Sequence, residues 1–255
     1  MRDAGAGLMA GEALRREDAL HARTRSFRAR AGRAADVLAE AFDGAAKPAV
    51  AFSGGKDSLV TLALAARARP DVTAIWSDDE LEYPETPGAI RAAGAALAVD
   101  LVIVAGFSRH AGWFDPWRDA PFWREPDPAM LPIGMRAEAW QAQAGYDAVA
   151  TGLRAAERAG RRINARMRGL IYPAPENAAH RRAQPLAWWH LADVWAAIAA
   201  WELPYNPVYD VLARAGVPRN LQRVGPLPLS PGWVLRAGWP MEYRRLVERY
   251  GARWG

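Results

Sequence analysis

The chain reads as an α/β protein built on an open, five-stranded parallel sheet with flanking helices. Three observations predict this. Short runs at 48–52, 72–77 and 100–106 are predominantly apolar, as strands covered on both faces are. Helical patterns separate them, so strand and helix alternate. A loop rich in Gly and Ser, 53–58, joins the first strand to a helix whose N-terminal end it leads into.

Residues 5–43 are predicted helical, with Leu14, Leu20, Phe27, Val37, Leu38 and Phe42 as a loose apolar stripe that ends at Gly44. Residues 1–44 thus form an N-terminal helical segment. PAVAF (48–52) is the first strand, and LVTLALAARAR, from Leu59, the helix after the loop. VTAIWS (72–77) is the second strand, Pro84 to Ala98 a helix opening on proline, and DLVIVAG (100–106) the third strand. Residues 107–135 break the pattern with five Pro and the aromatics Phe107, Trp113, Phe114, Trp117, Phe122 and Trp123, which read as a folded insertion or lid. A helix is expected at 136–145 and a fourth strand at 146–152. Residues 153–182 read as loop, AQPLAWW (183–189) as the fifth strand, and LADVWAAIAAWE (191–202) as a helix stopped by Pro204. The main domain is placed at 45–210. A Pro- and Gly-rich tail, 211–255, ends in an amphipathic helix at 241–250. Trp188, Trp195 and Trp201 are expected in the core.

Composition narrows the class. The chain has 255 residues, 51% apolar and 24% charged, which suits a folded globular protein and excludes bulk disorder. No apolar run approaches the roughly 18 residues of a membrane helix. The first residues carry acids where a signal peptide would be apolar, so a cytoplasmic location without membrane attachment is expected. Cysteine is absent, which removes disulfides, thiolate nucleophiles and iron–sulfur ligation. The four His lie at no metal-binding spacing; His110 is the better candidate for a general base. The net charge is +5, and 31 of the 33 basic residues are Arg. Residues 71–100 hold seven acids and one Arg, whereas 154–182 hold eight Arg and two Glu. Such a dipolar chain predicts a positively charged mouth.

Ser53, Gly54, Gly55, Lys56, Asp57 and Ser58 form the chemically informative loop. Two glycines let backbone N–H groups approach a phosphate, the helix end is positive, and Lys56 adds a cation. Asp57 would repel phosphate unless a cation intervenes, which suggests Mg²⁺ nearby. The spacing is not that of GxxxxGK[ST]. Asp78 and Asp79 follow the second strand at the sheet edge where ligands bind. There they would meet a ribose or, for Asp79 with Asp57, the metal. Thr151, Gly152, Leu153 and Arg154 follow the fourth strand at the same edge. Arg158, Arg161 and Arg162 could clamp an anion. Trp113, Trp117 and Trp123 could stack on a base.

FSGGKDS resembles the PP-loop of the ATP pyrophosphatase superfamily, and the chain is most similar there to the phosphoadenosine phosphosulfate (PAPS) reductase family. WSDDELEYPET (76–86), ATGLRAAERAGRR (150–162) and PLAWWHLADVWAAIAAWELPYNPVYD (185–210) resemble further family segments in the same order, over about 45–225. The resemblance implies a Rossmann-like fold of the adenine nucleotide alpha hydrolase type. It implies that Gly152 lets the nucleotide pass the backbone, and that Arg154 faces phosphates or leaving group. It also implies relatives in phage and mobile elements. The family's reductases attack with a Cys thiolate, whereas the corresponding VPRNLQRVGPLPLS has none. The loop is closer to ATP-cleaving members. The leading expectation is therefore ATP with Mg²⁺, cleaved between the α and β phosphates to adenylate an acceptor. Lys56, Asp57 and Arg154 are the catalytic candidates. A PAPS-binding protein that transfers the sulfonate or senses the ligand, without thiol reductase activity, is the second reading, and a nucleic-acid-modifying module the third. Oligomeric state and acceptor are not readable.

Overall fold

The computed structural model describes residues 14–78, 82–105, 137–227 and 230–250. Its strands are β1 (Pro48–Ala51), β2 (Thr73–Asp78), β3 (Asp100–Ala105), β4 (Ala148–Thr151), β5 (Ile171–Ala174) and β6 (Asn177–Ala183). They form one sheet in the order β3-β2-β1-β4-β6-β5, and all but the edge strand β5 run parallel. The aromatic stretch 107–135, with His110 and its Trp residues, lies outside the described residues, as does Asp79.

Both faces of the sheet are buried, which is why the central strands β1 and β4 are almost wholly apolar. Along β1, Val50 faces one apolar cluster and Ala49 the other. The larger cluster packs α2 (Arg25–Phe42), α3 (Lys56–Ala68), α4 (Thr86–Ala96) and α7 (Leu191–Ala200) against the sheet. The smaller one covers the opposite face, where Trp140 of α5 (Ala137–Gln143) meets Tyr146 at 6.0 Å between ring centres. Helix α3 is buried nearly all round, every residue from Ser58 to Ala65 included, which explains its almost unbroken apolar sequence.

The fifth parallel strand is β6, earlier than the 183–189 run that the apolar pattern favours. Its polar residues hide it. Arg181 donates to the Glu40 and Asp43 carbonyls, and Arg182 to Gln141 Oε1 at 2.7 Å, so these side chains are held rather than solvated. Pro185 cannot donate to a ladder, and turn structure follows it. The stretch 153–182 is correspondingly ordered: a 3₁₀ turn at Ala155–Glu157, α6 (Ala159–Arg168), then the β5–β6 hairpin. Helix α6 ends at Gly169, whose φ of +79° favours glycine. Trp195 is fully buried as expected, but Trp188 is 41% exposed and its neighbour Trp189 takes the core position.

Ahead of the sheet, α1 (Arg16–His21) and α2 dock on α7 through charges. Asp193, fully buried, lies 2.7 Å from Arg30 Nη2, His21 Nε2 and the His190 N–H. Asp18 accepts from both terminal guanidinium nitrogens of Arg219, Nη1 and Nη2, at 2.9 and 2.5 Å. Beyond the sheet, α8 (Val208–Arg214), α9 (Gly232–Gly238) and α10 (Pro240–Tyr250) share a second apolar cluster with Tyr83. Trp239 Nε1 donates to the Glu85 carboxylate at 3.0 and 3.1 Å, which ties this cluster to the start of α4. Among the described residues, no helix is long and apolar enough to cross a membrane.

Candidate functional site

The strand order reverses at β1, which pairs with β2 on one side and β4 on the other. In open parallel sheets the crevice at such a reversal, outside the carboxyl ends of the strands, is where ligands bind. The loop 53–55 leaves β1 at this point, and residues 152–154 leave β4 beside it. Residues far apart in sequence thus become neighbours for a topological reason.

The loop's glycines do different work. Gly54 has φ +71°, open to glycine at little cost, and a Cβ there would also meet Ile90 Cδ1 at 3.0 Å. Gly55 is the N-cap of α3, with an ordinary φ of −79°. The serines close the loop on itself. Ser58 Oγ donates to the Gly55 carbonyl at 2.9 Å and lies 3.2 Å from Ser53 Oγ and 3.3 Å from the Ser53 N–H.

Lys56 opens α3 and is only 1% exposed, an unusual burial for a lysine. Its Nζ lies 3.0 Å from Asp57 Oδ2 and 5.5 Å from the centre of the Tyr209 ring. Burial pushes the Lys56 ammonium below its ordinary value; the Asp57 carboxylate opposes that shift. The other oxygen of Asp57, Oδ1, takes Arg154 Nε at 2.5 Å. Arg154 is itself 4% exposed and reaches Glu157 Oε1 at 3.5 Å, and Glu157 pairs in turn with Arg161. A chain of alternating charge therefore runs from Lys56 through Asp57, Arg154 and Glu157 to Arg161. Asp57 is the shared counter-ion of two buried cations.

That arrangement bears on Mg²⁺. Both carboxylate oxygens of Asp57 are engaged by Lys56 and Arg154, and Asp79 lies outside the described residues. Among the described residues, no group of three or more His, Asp or Glu could hold a metal ion. The described residues thus assemble no all-protein Mg²⁺ site, and the chemistry proposed for the loop is carried by its own cations.

Gly152 lies against the first turn of α3. A Cβ there would stand 2.6 Å from Asp57 C and from Ser58 N. The contact that requires a bare backbone is thus made with the chain itself. Thr151 and Leu153 line a cavity of about 240 Å³ with Ala51 and Ser77, over the ends of β1, β2 and β4. Its far wall includes Tyr172 and the buried Arg182 from the hairpin. Asp78, at the end of β2, is buried. Arg158 and Arg162 are exposed and make no ion pair among the described residues, whereas Arg161 is committed to Glu157.

Two residues that motif reading passes over stand at the loop. Tyr209, just before the end of the LPYNPVYD element, is fully buried, and its hydroxyl accepts the Lys56 N–H at 3.0 Å. Burial and the Asp57 carboxylate push its phenol well above the ordinary value, so it stays protonated. The charge of Arg223, from the tail, reaches both Lys56 and Tyr209. Asn206 holds the element in place, donating to Thr86 Oγ1 at 3.0 Å and accepting from the Val208 N–H at 3.1 Å.

A family model described as "Phosphoadenosine phosphosulfate reductase domain" matches residues 47–228. The fold is similar to that of a PAPS reductase from Candida auris, solved as a phosphate complex: TM-score 0.52, 20% identity, covering 77% of this chain and 89% of that one. It is also similar to a point mutant of the FMN adenylyltransferase from Candida glabrata: TM-score 0.53, 16% identity, covering 82% of this chain and 68% of that one. No curated protein matches this chain.

Proposed function

The chain belongs to the PAPS reductase domain family, within the adenine nucleotide alpha hydrolase-like superfamily, and on that premise we propose that it is an enzyme binding ATP at residues 53–58 and cleaving the α–β bond. The observation that carries this reading is the buried Lys56–Asp57–Arg154 cluster at the reversal of the sheet. With Glu157 and Arg161 the chain holds three cations against two carboxylates, a net positive charge beside the loop. An arriving polyphosphate is the complementary charge.

The chemistry then needs no protein nucleophile. An acceptor oxygen attacks the α phosphorus, the bond to the bridging oxygen breaks, and its electron pair leaves with pyrophosphate. The acceptor's proton passes to solvent or to a base on the acceptor side. Transfer of this kind depends on positioning and charge neutralisation. Lys56 and Arg154 supply the charge, and Asp57 and Glu157 hold them in place. The glycines give the backbone close access. Thiolate attack on a sulfonate, by contrast, has no residue to perform it, because the chain contains no cysteine. A similar scaffold serves an FMN adenylyltransferase, a fold-level analogy that agrees with adenylyl transfer.

A second reading, PAPS binding without thiol chemistry, is favoured by one feature: the exposed Arg158 and Arg162, which could hold an additional phosphate or sulfate. Titration calorimetry separates the two. ATP with Mg²⁺, PAPS and adenosine 3′,5′-bisphosphate are titrated into the same preparation. Saturable binding of ATP supports the first reading. Binding of the 3′-phosphorylated ligands alone overturns it.

A further inference from the structure

We infer that Tyr209 is a phosphate-binding residue of this site, its hydroxyl donating to an oxygen of the nucleotide's phosphate chain. The inference rests on the nucleotide reading above and adds a residue from outside the loop motif. A phenol offers one donor and two acceptor positions. One acceptor position is used by the Lys56 N–H, at 3.0 Å. Among the described residues, no group accepts the hydroxyl's own proton. A buried donor left in that state is costly, so such groups ordinarily have a partner.

The position of the hydroxyl names the partner. A Cβ on Gly55 would lie 3.6 Å from it, so the oxygen sits against the N-cap of a thirteen-residue helix. The Lys56 ammonium stands 5.5 Å from the centre of the ring. Both the helix end and the ammonium attract an anion to this spot. Packing alone does not explain the oxygen. The ring already meets Trp195 edge-on at 5.2 Å, a contact phenylalanine would make as well. The Lys56 N–H, one of the free donors of the helix's first turn, is thereby not lost to phosphate. It polarises a hydroxyl that extends the donor outward. Because the phenol stays protonated, the donor is present throughout the neutral range.

The test is Tyr209→Phe, read by calorimetry with ATP, pyrophosphate and adenosine, beside thermal unfolding. The expected result is ATP and pyrophosphate binding weakened about 10- to 100-fold, the range of one hydrogen bond to a charged group. Adenosine affinity should stay within about twofold of the parent, since that ligand lacks phosphate. ATP affinity equal to the parent's overturns the inference. So does an equal loss for ATP and adenosine, which a purely structural cap would cause. If the parent protein itself binds neither ATP nor PAPS, the nucleotide reading fails, and this inference with it. Should Tyr209→Phe not fold, 3-fluorotyrosine at 209 keeps the ring's shape and strengthens the hydroxyl as a donor while weakening it as an acceptor. Tighter ATP binding then supports the inference, and unchanged or weaker binding overturns it.

Discussion

Gly152→Ala isolates the contact on which the site's geometry depends. The added methyl would sit 2.6 Å from Asp57 C and Ser58 N and 2.7 Å from Asp57 O, where ordinary contacts begin at 3.4 Å. All three neighbours are backbone, so no side chain can swing aside. The first turn of α3 and the strand β4 must part by about 0.8 Å. Overpacking of this kind costs roughly 1–3 kcal/mol. For a chain of this size that lowers the melting temperature by roughly 3–10 °C. The same displacement pulls Arg154 away from Asp57, and misplacement near 1 Å costs about 100-fold in a positioned reaction. Gly55→Ala is the control. Its Cβ would find only Ser53 Oγ at 3.5 Å and the Tyr209 hydroxyl at 3.6 Å, both ordinary contacts. Differential scanning calorimetry of parent and both variants should show a clear loss for Gly152→Ala and a change near zero for Gly55→Ala. Equal melting temperatures for parent and Gly152→Ala would refute the close approach of β4 to the loop.

Further outcomes follow from the charges. Asp57→Asn leaves the buried Lys56 and Arg154 cations without their shared counter-ion and should destabilise by roughly 3–5 kcal/mol in urea unfolding. The Mg²⁺ dependence of ATP binding should not change with it; a changed dependence would restore Asp57 as a metal ligand. Asp193 is held below its ordinary value of 3.8 by hydrogen bonds from Arg30, His21 and the His190 N–H, which outweigh the opposing effect of burial. The unfolded chain therefore binds the proton more readily. This stabilisation is full above about pH 4 and is lost as pH falls through the lower folded value. Asp193→Asn should cost roughly 3 kcal/mol at pH 7 and flatten that acid limb; parallel curves for parent and variant would contradict it. Finally, PAPS with thioredoxin and reductant should release no sulfite even at high enzyme concentration, because no thiol exists to attack; sulfite release would refute the cysteine argument.

The central fold is legible in the sequence because its strands are apolar on both faces and its helices periodic. The loop is legible for the same reason: SGGKDS is informative once a strand precedes it and a helix follows. What escapes is whatever depends on pairing across the fold. Arg182 reads as surface charge, and its strand as loop, until Gln141 and Glu176 are brought to it. Nothing in the sequence marks Lys56 as buried, because lysine is almost never buried without a partner. Here its partner is its own neighbour, Asp57, which the sequence suggests as a metal ligand instead. Arg154 is assigned to the site by resemblance, but its bond to Asp57 spans 97 positions and follows only from β1 lying beside β4. Tyr209 stands 153 positions from Lys56, within a motif that carries resemblance but no readable chemistry.

The bond that this site breaks can be located by incubating enzyme in excess over ATP in ¹⁸O-labelled water, without added acceptor, and resolving the products by mass spectrometry. Water then stands in for the acceptor, and turnover should be slow, since the site is organised for a different nucleophile. Attack at the α phosphorus predicts AMP and pyrophosphate, with one labelled oxygen in the AMP. ADP with labelled phosphate would contradict α–β cleavage at the Lys56–Asp57–Arg154 cluster, and AMP with the label in the pyrophosphate instead would contradict attack at the α phosphorus.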